Sequence, residues 1–165
     1  MRFVTYTASL LFGVSCCISV AAVFPIVHLS QADWKWLESA SKRKESRDLA
    51  KLPASVVALC ADSDGRLAAP GQKWEATDFI RDRTLPRKRL VWFIRQNSRY
   101  LVHYEVGGSG YNVQTLIADV TADGSAKCAW HATAFKAFEN YAEFLAAVNA
   151  NQRLRDDSCS TSGAG

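Results

Sequence analysis

The sequence predicts an α+β domain in which a four-stranded antiparallel meander carries helices on one face and follows an export signal. Three observations lead there. Four β-rich runs lie between residues 88 and 133 with only short turn-forming separators, an amphipathic helical pattern follows in "FENYAEFLAAVNANQ", and a long uncharged stretch follows Arg2 at the amino terminus.

The amino-terminal stretch, "FVTYTASLLFGVSCCISVAAVFPIVHL", has a positive start, an apolar body and a small-residue exit. That is the pattern of a secretory signal peptide. "SQA" at 30–32 fits the peptidase, since Pro25 breaks the apolar helix shortly before it, and "SVA" at 19–21 also fits. An uncleaved anchor is the alternative, because roughly 20 apolar residues span a bilayer. Lipid attachment at Cys16 or Cys17 is disfavoured by Gly13 and by the apolar sequence that continues beyond them. Residues 1–32 are therefore a signal or anchor, and the rest is expected to be periplasmic or secreted, or else held at the inner membrane.

Residues 33–52 are polar, with Glu38 and Lys42 at helical pair spacing and only Trp34, Trp36 and Leu37 to bury. They read as a loosely attached helix or tether. A single domain is expected over 53–153, beginning with Pro53 in the first turn of a short helix that runs to about Ala61. "DSDGRLAAPGQKWEATD" is turn chemistry, since Asp64-Gly65 and Pro70-Gly71 both reverse the chain. A calcium loop does not fit it, because Gly65 is misplaced and Lys73 stands where a closing glutamate belongs.

The strands are expected at about Lys88–Gln96, Arg99–Val106, 111–121 and 125–133, joined by Asn97-Ser98, "GGSG" and Asp123-Gly124. Asn140 and Glu143 have capping-box spacing at the start of the terminal helix, and Tyr141, Phe144, Leu145 and Val148 form its apolar stripe. Residues 154–165 read as a disordered tail.

Two-residue turns fix which residues share a face. One face collects Val91, Phe93, Tyr100, Val102, Tyr104, Val113, Thr115, Ile117, Cys128, Trp130 and Ala132, and both helices are expected to cover it. The other collects Leu90, Trp92, Ile94, Leu101, His103, Glu105, Asn112, Gln114, Leu116, Lys127, Ala129, His131 and Thr133. In this register Trp92, His103, Gln114 and Thr133 form one row. The apolar members of the second face call for a cover of their own: residues 34–52, the loop around Trp74 and Phe79, a second copy of the chain, or a different protein.

The mature chain keeps Cys60, Cys128 and Cys159. In an oxidising compartment this odd number implies one disulfide and one thiol. The shared core favours Cys60–Cys128, with Cys60–Cys159 as the rival. There is no CxxC pair, no histidine at metal-ligand spacing, no P-loop, no dinucleotide fingerprint and no HExxH, so neither metal nor cofactor is expected. Ser109 in "GGSGY" fails as a nucleophile elbow, since Tyr111 replaces the closing glycine and the context is strand-turn-strand.

The net charge is +4, and "RDRTLPRKRLVWFIRQNSR" at 81–99 holds seven basic residues against Asp82. Export argues against nucleic acid, which leaves a basic edge suited to an anionic surface or an acidic protein. The sequence thus points to a small exported binding protein of inhibitor, immunity or envelope accessory type. Its partner is expected to be another protein or a second copy, and its contact residues are expected to be Trp92, Arg89, His103, Glu105, Gln114 and His131. A hydrolase or isomerase using His103 with Glu105 or His131 is the competing class, although residues two apart on a strand are separated by roughly 7 Å. A membrane-anchored structural protein is the third.

Overall fold

The computed structural model describes residues 29–40, 42–77, 80–108, 110–150, 154–157 and 159, so the amino-terminal apolar stretch and Phe79 lie outside the described residues. The elements in chain order are α1 (Gln31–Ala40), a 3-10 turn (Leu49–Lys51), α2 (Ala54–Cys60), β1 (Lys88–Gln96), β2 (Arg99–Val106), β3 (Asn112–Val120), β4 (Ala126–Ala134), α3 (Tyr141–Asn149) and β5 (Leu154–Asp157). The fold is α+β. Its sheet is antiparallel throughout, in the spatial order β1-β2-β3-β4-β5.

The fifth strand corrects the expected count. Leu154 pairs with Ala134 and Asp157 with His131, which draws part of the expected tail into the sheet. A second tie is covalent: Cys159 is disulfide-bonded to Cys128 on β4, and Cys60 is the free thiol. The expected Cys60–Cys128 bridge therefore does not form.

The turn at Asn97-Ser98 is as expected, with Gln96 opposite Arg99 and Asn97 at φ +57°. The next connection is wider, because Val106 pairs with Asn112 and the chain between them spans 107–111. Its cause lies at Gly107. A Cβ there would sit 2.1 Å from the Glu75 carbonyl oxygen, so the bare backbone lets the 74–76 segment close over the loop. The one-residue slip turns β3 over relative to the expectation. His103 now faces Thr115, Leu101 faces Ile117, and Gln114 faces Tyr104.

Two register shifts complete the redistribution. Val91 is the extra residue between Leu90 and Trp92, and Ala129 the extra residue between Cys128 and Trp130. Each bulge sends residues two apart in sequence to opposite faces. Cys128 thus joins the α2 side, while Trp130 and Ala132 stay on the α3 side.

Helices cover both faces, not one. On one side α1 and α3 pack Leu37, Tyr141, Phe144 and Val148 against Trp92, Ile94, Leu101, Ile117 and Trp130. On the other, α2 and the turn before it bring Leu52, Val56 and Cys60 onto Leu90, Phe93, Val102, Tyr104 and Leu116. This explains the buried run from Tyr100 to Glu105, in which successive residues point to opposite sides and neither side is open. Phe144 stands at the centre of the first core, edge-on to Trp92, Trp130 and Phe138.

The polar segment before α2 is firmly held. Leu37 and Ala40 are fully buried, the Tyr141 hydroxyl donates to the Leu37 carbonyl at 2.6 Å, and Arg99 reaches Asp33 at 2.7 Å. Farther on, Ser46 exchanges both backbone hydrogen bonds with Phe93, capping the free edge of β1. At α3, Asn140 accepts from the Glu143 amide at 2.9 Å, but the Glu143 carboxylate returns to the Glu139 amide and not to that of Asn140.

Candidate functional site

Of the six expected contact residues, Trp92 and His103 are buried completely. They are partners across β1 and β2, with rings stacked 4.8 Å apart at 26°. Trp92 Nε1 donates to the Phe138 carbonyl at 2.9 Å, and His103 Nε2 accepts from the Phe138 amide at 3.0 Å. Since Nε2 accepts, the proton of the neutral ring sits on Nδ1, which faces Thr115 Oγ1 at 2.8 Å. Burial holds the imidazole pKa down at about 3. His103 is a neutral core histidine that fastens the chain between β4 and α3.

Gln114 and His131 lie on the α2 side of the sheet. Gln114 accepts from the Tyr104 hydroxyl at 2.7 Å, and His131 is half-buried opposite Leu116. The slip between β2 and β3 separates them from His103, so the expected row is split between two faces. The pairs Trp92 with His103 and Gln114 with Thr133 survive; the link between them does not.

Arg89 and Glu105 do come together, at the end of the sheet where β2 turns into β3. Arg89 Nε donates to Glu105 Oε2 at 2.6 Å, and the Tyr111 hydroxyl donates to Glu105 Oε1 at 2.9 Å. The guanidinium carbon lies 4.9 Å from the centre of the Trp74 ring, which in turn lies 6.4 Å from Tyr111. Burial and the Glu105 carboxylate push the Tyr111 hydroxyl up to about 12, so it stays a donor. Beneath this cluster Glu75 pins the following loop, accepting from the Thr77 hydroxyl and from the amides of Arg81 and Asp82. These hydrogen bonds, led by that of Thr77, hold its carboxyl below the usual carboxylate range.

The same end presents apolar surface to water. Phe135, directly after β4, is 78% exposed, Tyr111 is 41% exposed and Ile80 is 38% exposed. Exposed Arg81 and Arg83 follow Ile80, and exposed Lys136 follows Phe135. Among the described residues, Glu75 and Glu105 are engaged as above, and Asp82 with Thr84. Aromatic side chains thus stand near cations, with Glu75, Asp82 and Glu105 already bonded.

The basic run is otherwise dispersed. Arg99 forks onto both oxygens of Asp119, Lys88 lies over the Tyr104 ring, and Arg87 packs against Gly108. Sequence reasoning placed Trp74 only as a cover and passed over Tyr111, Phe135 and Ile80 as contact residues. Their signal is large apolar residues at or beside turn segments, where folding alone does not require them. Compared with protein-family models, with curated proteins and with solved structures, the chain matches none of them.

Proposed function

We propose that this is an exported binding protein that captures another protein through the aromatic and basic end of its sheet, as an inhibitor, immunity factor or envelope accessory protein does. The observation that carries the reading is Phe135, 78% exposed directly after β4, at the end of the sheet where Tyr111 and the Arg89–Trp74 stack also lie. A side chain of this size gains about 1.5–3 kcal/mol when a partner covers it. Surrounding cations favour an acidic partner surface.

Export is supported by the apolar amino-terminal stretch and by the Cys128–Cys159 disulfide, which suits an oxidising compartment. Among the described residues no helix is long and apolar enough to cross a membrane. The hydrolase reading gains no support, because His103 is enclosed with both ring nitrogens engaged and the Glu105 carboxylate is bonded to Arg89 and Tyr111.

The test is capture from the protein's own envelope, comparing wild type with Phe135→Asp combined with Tyr111→Ala. A partner retained by the wild type and lost by the variant, at unchanged circular dichroism, supports the reading. Equal recovery by both removes it, and self-association in sizing columns that the variant abolishes makes the partner a second copy.

A further inference from the structure

A second surface lies on the other side of β1, near the opposite end of the strand. Lys44, Ser46, Lys51, Phe93 and Arg95 line an open groove of about 390 Å³. Side-chain alternation along the extended 44–47 segment creates it. Glu45 and Arg47 turn toward α3, where Glu45 accepts from the Tyr141 amide and Arg47 donates to the Glu139 carbonyl. Lys44 and Ser46 point the other way, toward Arg95. The alternation sends Glu45 to one side of the segment and Lys44 to the other, where Arg95 and Lys51 also stand, with Asp48 beside Lys51.

Ser46 and Arg95 are already held in place. Both backbone groups of Ser46 are bonded to Phe93 at 2.8 Å, and Ser46 Oγ accepts from the Asp48 amide, which leaves its hydroxyl proton to donate. Arg95 is held by its Nε bond to the Asn97 carbonyl at 3.0 Å and lies over the Tyr100 ring, so its terminal nitrogens remain for a ligand. Asp48 spends one oxygen on the Ala50 amide and stands 3.4 Å from the Lys51 ammonium with the other. Three cations around one hollow against this single carboxylate leave it net positive, which an added anion relieves.

We propose that this groove binds a phosphate group. Arg95 supplies a planar fork, Lys44 and Lys51 supply point charges, and Ser46 supplies a hydroxyl donor, which together suit a multiply charged tetrahedral anion better than a single carboxylate. The phosphate belongs either to a soluble phosphorylated molecule or to a phospholipid headgroup. The inference is independent of the aromatic contact surface and survives its failure.

The test uses the protein as recovered from its own envelope, labelled for NMR. Inorganic phosphate is titrated at constant ionic strength against chloride, and vesicles of phosphatidylglycerol are compared with vesicles of phosphatidylcholine. Expected are saturable shifts of the Lys44, Ser46 and Arg95 amides, weakened at least tenfold in Lys44→Ala combined with Arg95→Ala. Shifts with phosphate alone assign a soluble ligand, and binding to phosphatidylglycerol vesicles that needs Lys44 and Arg95 assigns a headgroup. If neither probe moves these amides, or the double variant responds as the wild type does, the groove is not a phosphate site.

Discussion

Trp92 and His103 hold the two polar ends of one residue: the indole donates to the Phe138 carbonyl while the imidazole accepts from the Phe138 amide. The residue so held begins the approach to α3, and its ring lies against both His103 and Phe144. A histidine that reads as surface chemistry is instead the fastening of the terminal helix. Replacing His103 by Leu leaves the Phe138 amide buried without its acceptor and Thr115 without its partner, at a cost of about 2–3 kcal/mol. Trp92→Phe costs about 1–3 kcal/mol for the orphaned carbonyl and the lost contacts. Urea unfolding measures both, and the double variant should lose less than the sum, because the two act on one residue.

The same histidine sets a pH dependence. Its pKa is about 3 when folded, against about 6.5 in an unfolded chain. Between these values the unfolded chain binds a proton that the native state refuses, so stability falls as pH drops from about 6.5 toward 3, by about 1.4 kcal/mol per pH unit. Above 6.5 the group contributes no slope. Chemical denaturation of wild type and His103→Gln across this window should show a steeper acid loss in the wild type; parallel curves would place the acid sensitivity elsewhere.

The cysteines make opposite predictions. Peptide mapping of the unreduced protein should find Cys128 joined to Cys159. Cys60, the last residue of α2, is fully buried, and burial pushes its thiol up to about 12. It should therefore resist alkylation at pH 8 in the native protein and react promptly in denaturant. Cys159→Ser should release β5 and raise amide exchange along β4 at 131–134 while leaving the first three strands protected.

Much of this fold is legible in the chain. The four long strands and the Asn97-Ser98 hairpin follow from alternation and turn chemistry, and α3 from its stripe and its Asn140 cap. Leu90, Trp92, Ile94, Leu101 and Leu116 are all buried, but not on one face as expected: Trp92, Ile94 and Leu101 lie under α1 and α3, Leu90 and Leu116 under α2. What escapes is set by contacts distant in sequence. The β2–β3 register depends on Gly107 meeting the Glu75 backbone, and the bulges at Val91 and Ala129 depend on packing. "LRDD" carries no alternation to mark it as β5; ladder bonds and the disulfide make it a strand. The candidate site escapes because Tyr111 and Phe135 stand at element ends, where periodicity has nothing to say.

Gly107 gives the sharpest test of that register. A methyl group there meets the Glu75 carbonyl at 2.1 Å, and the neighbours are backbone atoms that cannot rotate away. The amide of Gly107 also donates to the Arg87 carbonyl, and that of Glu75 to the Pro86 carbonyl, so two segments must move together. Gly107→Ala should cost about 1–3 kcal/mol or more and loosen the loop that carries Trp74. Gly65→Ala serves as a control, because Gly65 has open space around it and carries only the strain of φ +73°. Differential scanning calorimetry should show a clearly larger drop in Tm for Gly107→Ala. An equal or smaller drop would mean that the 74–76 segment does not lie on this loop, and with it would go the reason for the slip that places His103 opposite Thr115.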